Sequence, residues 1–513
     1  MSTAPATAPA PAADLAALAR GGRINFLGFC VRLAARLPFL FIAGRIYGAA
    51  VLGRFAYAIL IVEFAAQLAT LGLKRGLARQ LAETDKPHAC VAWDALVVSA
   101  IGAAIAMAVL MLFPQAMFPN SQVTGLDWLL PITIIALAWS DIMLAALAYR
   151  HDVTSTVRAR AIVEPITISA AAYIWSFWSL RDGLIIAYVL SMIAALVASI
   201  IPFVRTYGVP HGWTLNPRTL WKMAKRNIPV AAADAVEWGS RRIDIAVLGL
   251  FFSPTVVGIY YVAQNVASLP AKLKTSFDPI LGPVIARNLQ EGDKAAVAKQ
   301  VRQVGFWVIA AQLGVALALA IPGEAVMGLV GPAFVSGTAA LAFLLAAEVV
   351  AAMAAVSEAA LIYVARHRNM LVSLAMLALE AIFAIALIVG MRAFDWPVMF
   401  QATGPAIGLM LALGFAAVVK SRMLCRILGE RVNGWRWPLI WAAAAGTLVG
   451  WLATFLPEWA ELVFGIPAIL LAFGAVLWTK GFGPEDRQLF RLSKEDVEEL
   501  QVPAPGTTGD AVR

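Results

Sequence analysis

The chain reads as an all-α polytopic membrane protein of about 14 transmembrane helices, built as two six-helix lobes related by a parallel pseudo-two-fold repeat, with two further helices after them. Three observations predict this class. The 513 residues are 61% hydrophobic and 14% charged, against about 25% charged in a soluble domain. Apolar stretches of about 20 residues, long enough to cross a bilayer, recur along the whole chain and lack the alternation of barrel strands. A phrase also occurs twice: residues 78–86 read A-R-Q-L-A-E-T-D-K and residues 286–294 read A-R-N-L-Q-E-G-D-K. Each copy follows a helix that opens alike, Gly53-Arg54-Phe55-Ala56-Tyr57 and Gly258-Ile259-Tyr260-Tyr261-Val262. An even number of spans between the copies requires both to lie on one side of the membrane.

The elements follow in order. Residues 1–23 are an Ala/Pro-rich tail with no disulfide, metal or cleavable-leader pattern near it. Spans 1–6 fall at 26–46, 53–73, 91–113, 128–149, 161–179 and 184–204, giving an N-terminal lobe of 24–204. A polar linker occupies 205–227. Spans 7–12 fall at 228–251, 256–281, 304–321, 339–364, 370–391 and 402–419, giving a C-terminal lobe of 228–419. Spans 13 and 14, at 437–456 and 461–479, complete a unit of 437–479, and 480–513 is a polar tail.

Orientation comes from the cations. With the N-terminus in the cytoplasm, 30 of the 40 Lys and Arg fall in cytoplasmic segments, seven within spans and three (Arg54, Arg181, Arg392) on the outside. That is a clean positive-inside pattern. It places both termini in the cytoplasm and accounts for the net charge of +9 by contact with anionic membrane lipids rather than nucleic acid. The four histidines and three cysteines are scattered, with no metal-ligand or disulfide spacing. No G-x-x-x-x-G-K-[ST] loop is present for a nucleotide, and no cofactor is expected. The longest outer loops, 114–127 and 322–338, hold no catalytic cluster, which favours a transporter over an enzyme such as a glycan polymerase.

Charges within spans are costly in hydrocarbon and mark either a wet cavity or a structural pairing. Arg32 and Arg36 share a face of span 1, facing a cavity or snorkelling to the inner headgroups; Arg45 suits the outer headgroups. In span 7, Asp234, Glu237, Arg241 and Asp244 fall on one face of a continuous helix, as a self-neutralising stripe or a switchable cavity wall, with Arg242 on a neighbouring face. Lys272 continues a polar stripe of Tyr261, Asn265 and Ser268 in span 8, and Lys274 can pair with Asp278. Glu63 lies on a polar face of span 2; Asp141, Glu348 and Glu380 stand near span centres. As buried carboxyls these acids suit either ion coupling or salt bridges to the arginines, with Glu63, Glu237, Asp244 and Glu380 the leading coupling candidates.

The stretch from Arg242-Ile243-Asp244 through Val257-Gly258-Ile259-Tyr260 to Phe277-Asp278-Pro279-Ile280-Leu281-Gly282-Pro283 resembles the Wzx-type flippases of lipid-linked oligosaccharides, in the multidrug/oligosaccharidyl-lipid/polysaccharide exporter superfamily. So does span 2, with its Gly53-Arg54-Phe55-Ala56-Tyr57 start. The resemblance implies two lobes in a V and a cationic central cavity, with Arg32, Arg36, Arg241, Lys272 and Lys274 as its matching basic residues. It implies an undecaprenyl-pyrophosphate oligosaccharide as cargo, moved across a bacterial inner membrane by alternating access for exopolysaccharide, capsule or O-antigen synthesis. A polysaccharide polymerase and chain-length proteins are then the partners. A peptidoglycan-precursor flippase and a proton-coupled multidrug exporter of the same superfamily share this topology. The loop after span 2 reads Leu73-Lys74-Arg75-Gly76-Leu77-Ala78-Arg79 and lacks the D-R-x-G-R-R pattern of major-facilitator transporters.

Overall fold

A computed structural model describes residues 37–487 apart from 211, 240, 241, 276–284, 286, 287 and 290; of residues 153, 271–275, 484 and 485 it describes the backbone alone. The described residues are helical with no strand, as a chain that must satisfy its backbone inside lipid requires. In chain order the helices are α1 (37–47), α2 (Gly48–Ala69), α3 (Leu73–Ala82), α4 (His88–Leu112), α5 (Thr133–Tyr149), α6 (153–175) and α7 (Gly183–Tyr207). Then come α8 (Pro217–Gly239), α9 (Ile243–Phe251), α10 (Pro254–Thr275), α11 (Lys294–Ala320), α12 (Gly323–Val330) and α13 (Thr338–Val364). The last are α14 (Arg366–Ala393), α15 (Gly404–Leu428), α16 (Pro438–Ala453) and α17 (Glu458–Gly481).

Nine helical stretches among the described residues are long and apolar enough to span a membrane. Spans 5, 7, 8 and 13 also fall on helices, span 7 in two pieces; residues 26–36 of span 1 and 276–281 of span 8 lie outside the described residues. Span 5 is α6, whose arginines dilute its hydropathy, and span 8 is α10. Span 13 is the shorter apolar α16. Large apolar side chains such as Ile105, Leu112, Ile166, Ile201, Leu371 and Leu471 are exposed on outward faces, where lipid tails replace water. The polar linker expected at 205–227 is helical from Pro217 onward and runs into span 7 as α8. Its Leu220 and Met223 are buried with Leu77, Leu81 and Leu96 of the N-terminal half, so this stretch is a packed element.

Local sequence explains the breaks. Gly48 (φ 79°) separates α1 from α2, and Gly72 (φ 71°) turns the chain from α2 into α3. Buried Leu73, Leu77 and Leu81 repeat every fourth residue on the inner face of α3 and leave its cations outward. Throughout, the face bearing α3 and the loops 83–87 and 208–216 is termed the basic face, and the other the opposite face.

α2 and α10 make the main contact between the halves. The helices cross at Gly53 and Gly258, the two glycines that open the repeated segments. A methyl at Gly53 would lie 1.8 Å from the Pro254 carbonyl oxygen, and one at Gly258 would lie 2.0 Å from that of Ala49. Lipid tails are as apolar as leucine, so close backbone approach over small residues is what associates helices in a bilayer. Around this crossing the largest apolar core runs through Leu52, Phe55, Val62, Val257, Tyr260 and Val262. Other contacts close the halves on the opposite face. Asn120 Nδ2 donates to the carbonyls of Gly249 (2.6 Å) and Phe252 (2.8 Å), and Arg45 Nε donates to that of Leu329 (2.9 Å).

The continuous face expected along span 7 is not present. α8 is described to Gly239, and Arg242 (φ −143°, ψ −1°) is non-helical directly before α9 restarts at Ile243. The interruption resets the helical phase. Asp234 and Glu237 turn to the N-terminal half, while Asp244 turns into the C-terminal core.

Candidate functional site

Towards the basic face the two halves meet through charge as well as through glycine. α3 begins directly after the Gly72 turn, which is wedged against the backbone of Ala231 in α8, and this projects Lys74 and Arg75 from its first turn. Arg75 Nη1 lies 3.1 Å from Asp234 and its Nη2 2.7 Å from Glu237, joining the halves. One turn further into α2, Glu63 pairs with Arg242 Nη1 at 3.0 Å. The Arg242 guanidinium lies 5.4 Å from the Trp238 ring centre, and Trp238 packs on Phe64 at 5.0 Å. At the rim, Arg226 of α8 donates to Glu83, which also accepts from Arg79 Nε at 2.6 Å. The hydrogen bond from Arg79, followed by that from Arg226, holds the Glu83 carboxyl below its ordinary value.

A second cluster lies inside the N-terminal half. Asp141 of α5 accepts from Lys74 Nζ (2.9 Å) and Arg160 Nη2 (2.5 Å), and Arg160 Nη1 reaches Glu164 at 3.0 Å. Arg160 and Asp141 are about one-fifth exposed, so the pair is largely withdrawn from water. The Tyr188 hydroxyl is buried with no hydrogen bond among the described residues. In the C-terminal half the analogue is Lys420, buried and paired with Glu358 at 3.0 Å and Ser373 at 3.1 Å.

A third group is acidic. Asp244 is fully buried and accepts from Tyr260 Oη (2.9 Å), Gln264 Nε2 (2.8 and 3.0 Å) and the amide of Ile245 (2.8 Å). α9 packs on α14, whose Glu380 is fully buried and within electrostatic reach of Asp244. Neither Glu380 oxygen has a hydrogen-bond partner among the described residues. Two acids in one dry core call for a cation or a proton between them. Among the described residues no three His, Cys, Asp or Glu side chains form a metal-holding group.

The sequence candidates therefore separate. Glu63 and Glu237 belong to the seam between the halves, each ion-paired across it. Asp244 and Glu380 come together elsewhere, in the C-terminal half. Arg32, Arg36 and Arg241 lie outside the described residues, as do the side chains of Lys272 and Lys274. Sequence reasoning passed over Lys74, Arg75 and Arg160, which it counted as loop cations of the positive-inside pattern. A signal was available for Arg160, since Asp141 near the centre of span 4 needs a cation and Arg160 opens the next span.

The helix order and the paired halves match a membrane transporter fold found in solved structures of the multidrug/oligosaccharidyl-lipid/polysaccharide superfamily. A solved structure described as lipid II flippase MurJ in an inward closed conformation superposes with a TM-score of 0.64 at 12% identity, covering 88% of this chain and 99% of the other. A multidrug resistance MATE family transporter in an inward-facing conformation gives 0.59 at 14% identity, covering 78% of this chain and 98% of the other. A superfamily transporter from Pyrococcus furiosus gives 0.53 at 12% identity, covering 82% and 95%. The family model described as polysaccharide biosynthesis protein matches residues 42–330, more than half of the chain, and the chain belongs to that family. No curated protein matches it.

Proposed function

We propose that the protein flips an undecaprenyl-pyrophosphate-linked oligosaccharide across the bacterial inner membrane by alternating access, with both termini and the basic face in the cytoplasm. The observation that carries this reading is the seam itself. Arg75 and Arg242 are held across it by carboxylates, and Lys74 and Arg160 are held by Asp141 in the adjoining cluster of the N-terminal half, all towards the basic-face end of the contact. A diphosphate can replace a carboxylate as the partner of a guanidinium, with charge-assisted hydrogen bonds of the same kind. Entry of the anion then exchanges Asp141, Glu63 or Glu237 for cargo and parts the halves on the basic side. The glycan rides in a wet polar space while the polyprenyl tail stays in lipid, avoiding desolvation of the sugars.

Arg32, Arg36, Arg241, Lys272 and Lys274 complete the anion site in this reading. Asp244 and Glu380 couple the cycle to a proton, with Glu63 and Glu237 as the acids released when their arginines bind cargo. The flipped product passes to a polysaccharide polymerase and chain-length proteins. The test is accumulation of lipid-linked oligosaccharide on the cytoplasmic leaflet in cells carrying Arg160→Gln, with membrane levels of the variant checked. Undiminished export in that variant and in Arg32→Gln/Arg36→Gln overturns the reading. Replacing the cargo by the peptidoglycan precursor in vesicles separates this function from that of the structural neighbour.

A further inference from the structure

On the opposite face, away from the seam, a recess of about 240 Å3 opens between the start of α2, the 113–124 loop and the turn before α7. Its inner wall is apolar, formed by Val51, Phe55, Leu184 and Ile185, and its rim carries Arg54 and Arg181. The two arginines differ. Arg54 is spent on structure: Nη1 donates to Asp127 Oδ1 at 2.8 Å and Nη2 to Asp127 Oδ2, while Nη2 also reaches the Gln122 carbonyl at 2.7 Å. Its guanidinium lies 4.2 Å from the Phe118 ring centre, so it fixes the loop that walls the recess. Arg181 is exposed and pairs with nothing among the described residues. Asp182 beside it does not line the recess and lies against Gly125, where a methyl would be 3.1 Å from its carboxylate.

The turn that presents Arg181 is held in place. Gly183 is pressed against Tyr47, whose hydroxyl donates to the Ala172 carbonyl at 2.6 Å, and Ser179 Oγ accepts from the Asp182 amide at 3.1 Å. Exposed Trp128, Phe177 and Trp178 surround this end of the N-terminal half. Exposed aromatics of this kind mark the headgroup level of a bilayer. An uncommitted arginine above an apolar pocket, at headgroup depth, matches one chemistry: a phosphate group attached to a hydrocarbon chain.

We infer that this recess binds the phosphate of a lipid, with Arg181 gripping the phosphate and the Val51–Ile185 wall receiving the first carbons of the chain. The site is separate from the seam, and its occupant is either a bilayer phospholipid or a polyprenyl phosphate carrier. Full-length protein in detergent is titrated with phosphatidylglycerol, undecaprenyl phosphate, diacylglycerol and inorganic phosphate, and the first retained copy is followed by native mass spectrometry. Both phosphate-bearing lipids bind, diacylglycerol does not, and inorganic phosphate at equal concentration does not displace them. Arg181→Gln weakens the lipid roughly tenfold, the loss of one charge-assisted hydrogen bond. Val51→Trp, which fills the pocket and leaves Arg181 in place, weakens it as well. Preference for undecaprenyl phosphate assigns the site to the carrier, and equal retention assigns it to bilayer lipid. Unchanged binding in both variants, equal binding of diacylglycerol, or full displacement by inorganic phosphate overturns the inference.

Discussion

Asp141 holds two cations from different helices, and that makes it the most informative single residue of the charged cluster in the N-terminal half. Lys74 and Arg160 both donate to it, so removing the carboxylate leaves two positive charges facing each other in a partly dry space. Asp141→Ala is expected to destabilise the protein more than Arg160→Ala, and the double variant to recover about 0.5–3 kcal/mol of coupling. Thermal unfolding of the four proteins in one detergent closes the cycle; a coupling near zero would show the pair to be incidental. Glu380 makes a different claim. Its carboxyl lacks any hydrogen-bond partner among the described residues, so Glu380→Gln keeps the shape and removes the charge. Folding should be retained, while any effect of an imposed pH gradient on the flipping rate in vesicles should disappear. A variant that responds to the gradient as the parent does would return Glu380 to a purely structural role.

Among the elements, α2 and α10 carry the tightest constraint. No side chain fits where Gly53 faces Pro254 and Gly258, so even Gly53→Ala must push the helices apart. The expected cost is about 1–3 kcal/mol, as for overpacking elsewhere. A cysteine placed at Asn120, which bridges the halves nearby, should react faster with a membrane-impermeant maleimide in the Gly53→Ala background. Equal labelling would mean that this crossing does not close the opposite face. The end of α17 is fixed by another device. Asp486 is buried and accepts from Trp307 Nε1 (2.8 Å), Arg436 Nη1 (2.7 Å) and Gln303, while Arg436 lies 3.9 Å from the Phe306 ring centre. This ties the last two helices to α11. Asp486→Ala strands three side-chain donors and the Gly483 amide, and limited trypsin digestion should then cut at Lys480 or Arg487 well before the parent is cut.

At the scale of the whole molecule, close backbone approach occurs at both ends of the seam, and the basic-face end adds ion pairs to it. Backbone contact at Gly53 and Gly258 is insensitive to salt, whereas the basic-face pairs are half exposed: the side chains of Arg75, Glu237 and Arg226 are 57%, 54% and 49% accessible. Exposed pairs are screened once the Debye length falls to about 3 Å near 1 M salt. High salt should therefore open the basic face selectively, raising labelling of a cysteine at Asn227 and leaving one at Asn120 unchanged. Equal increases at both positions would point to general loosening of the fold instead.

Composition and span length were enough to read the class and the helical architecture, because each follows from what lipid demands of any chain. The repeat also pointed to Gly53 and Gly258 as matched positions. That the two glycines touch is a tertiary fact: equivalence in sequence does not imply contact, and the packing of α2 against α10 brought them together. The span 7 stripe shows the opposite case. Its helical spacing assumed an unbroken helix, and the interruption between Gly239 and Ile243 sent Glu237 to Arg75 and Asp244 to the side of Glu380. Likewise Lys74 and Arg160, read as loop charges, became partners of Asp141 through the packing of α3, α5 and α6. Sequence fixes which residues are charged and how deep they sit along a helix. Only the packed helices decide which charges meet, because pairing depends on the rotation and break points of each helix, and those are set by contacts from the rest of the fold.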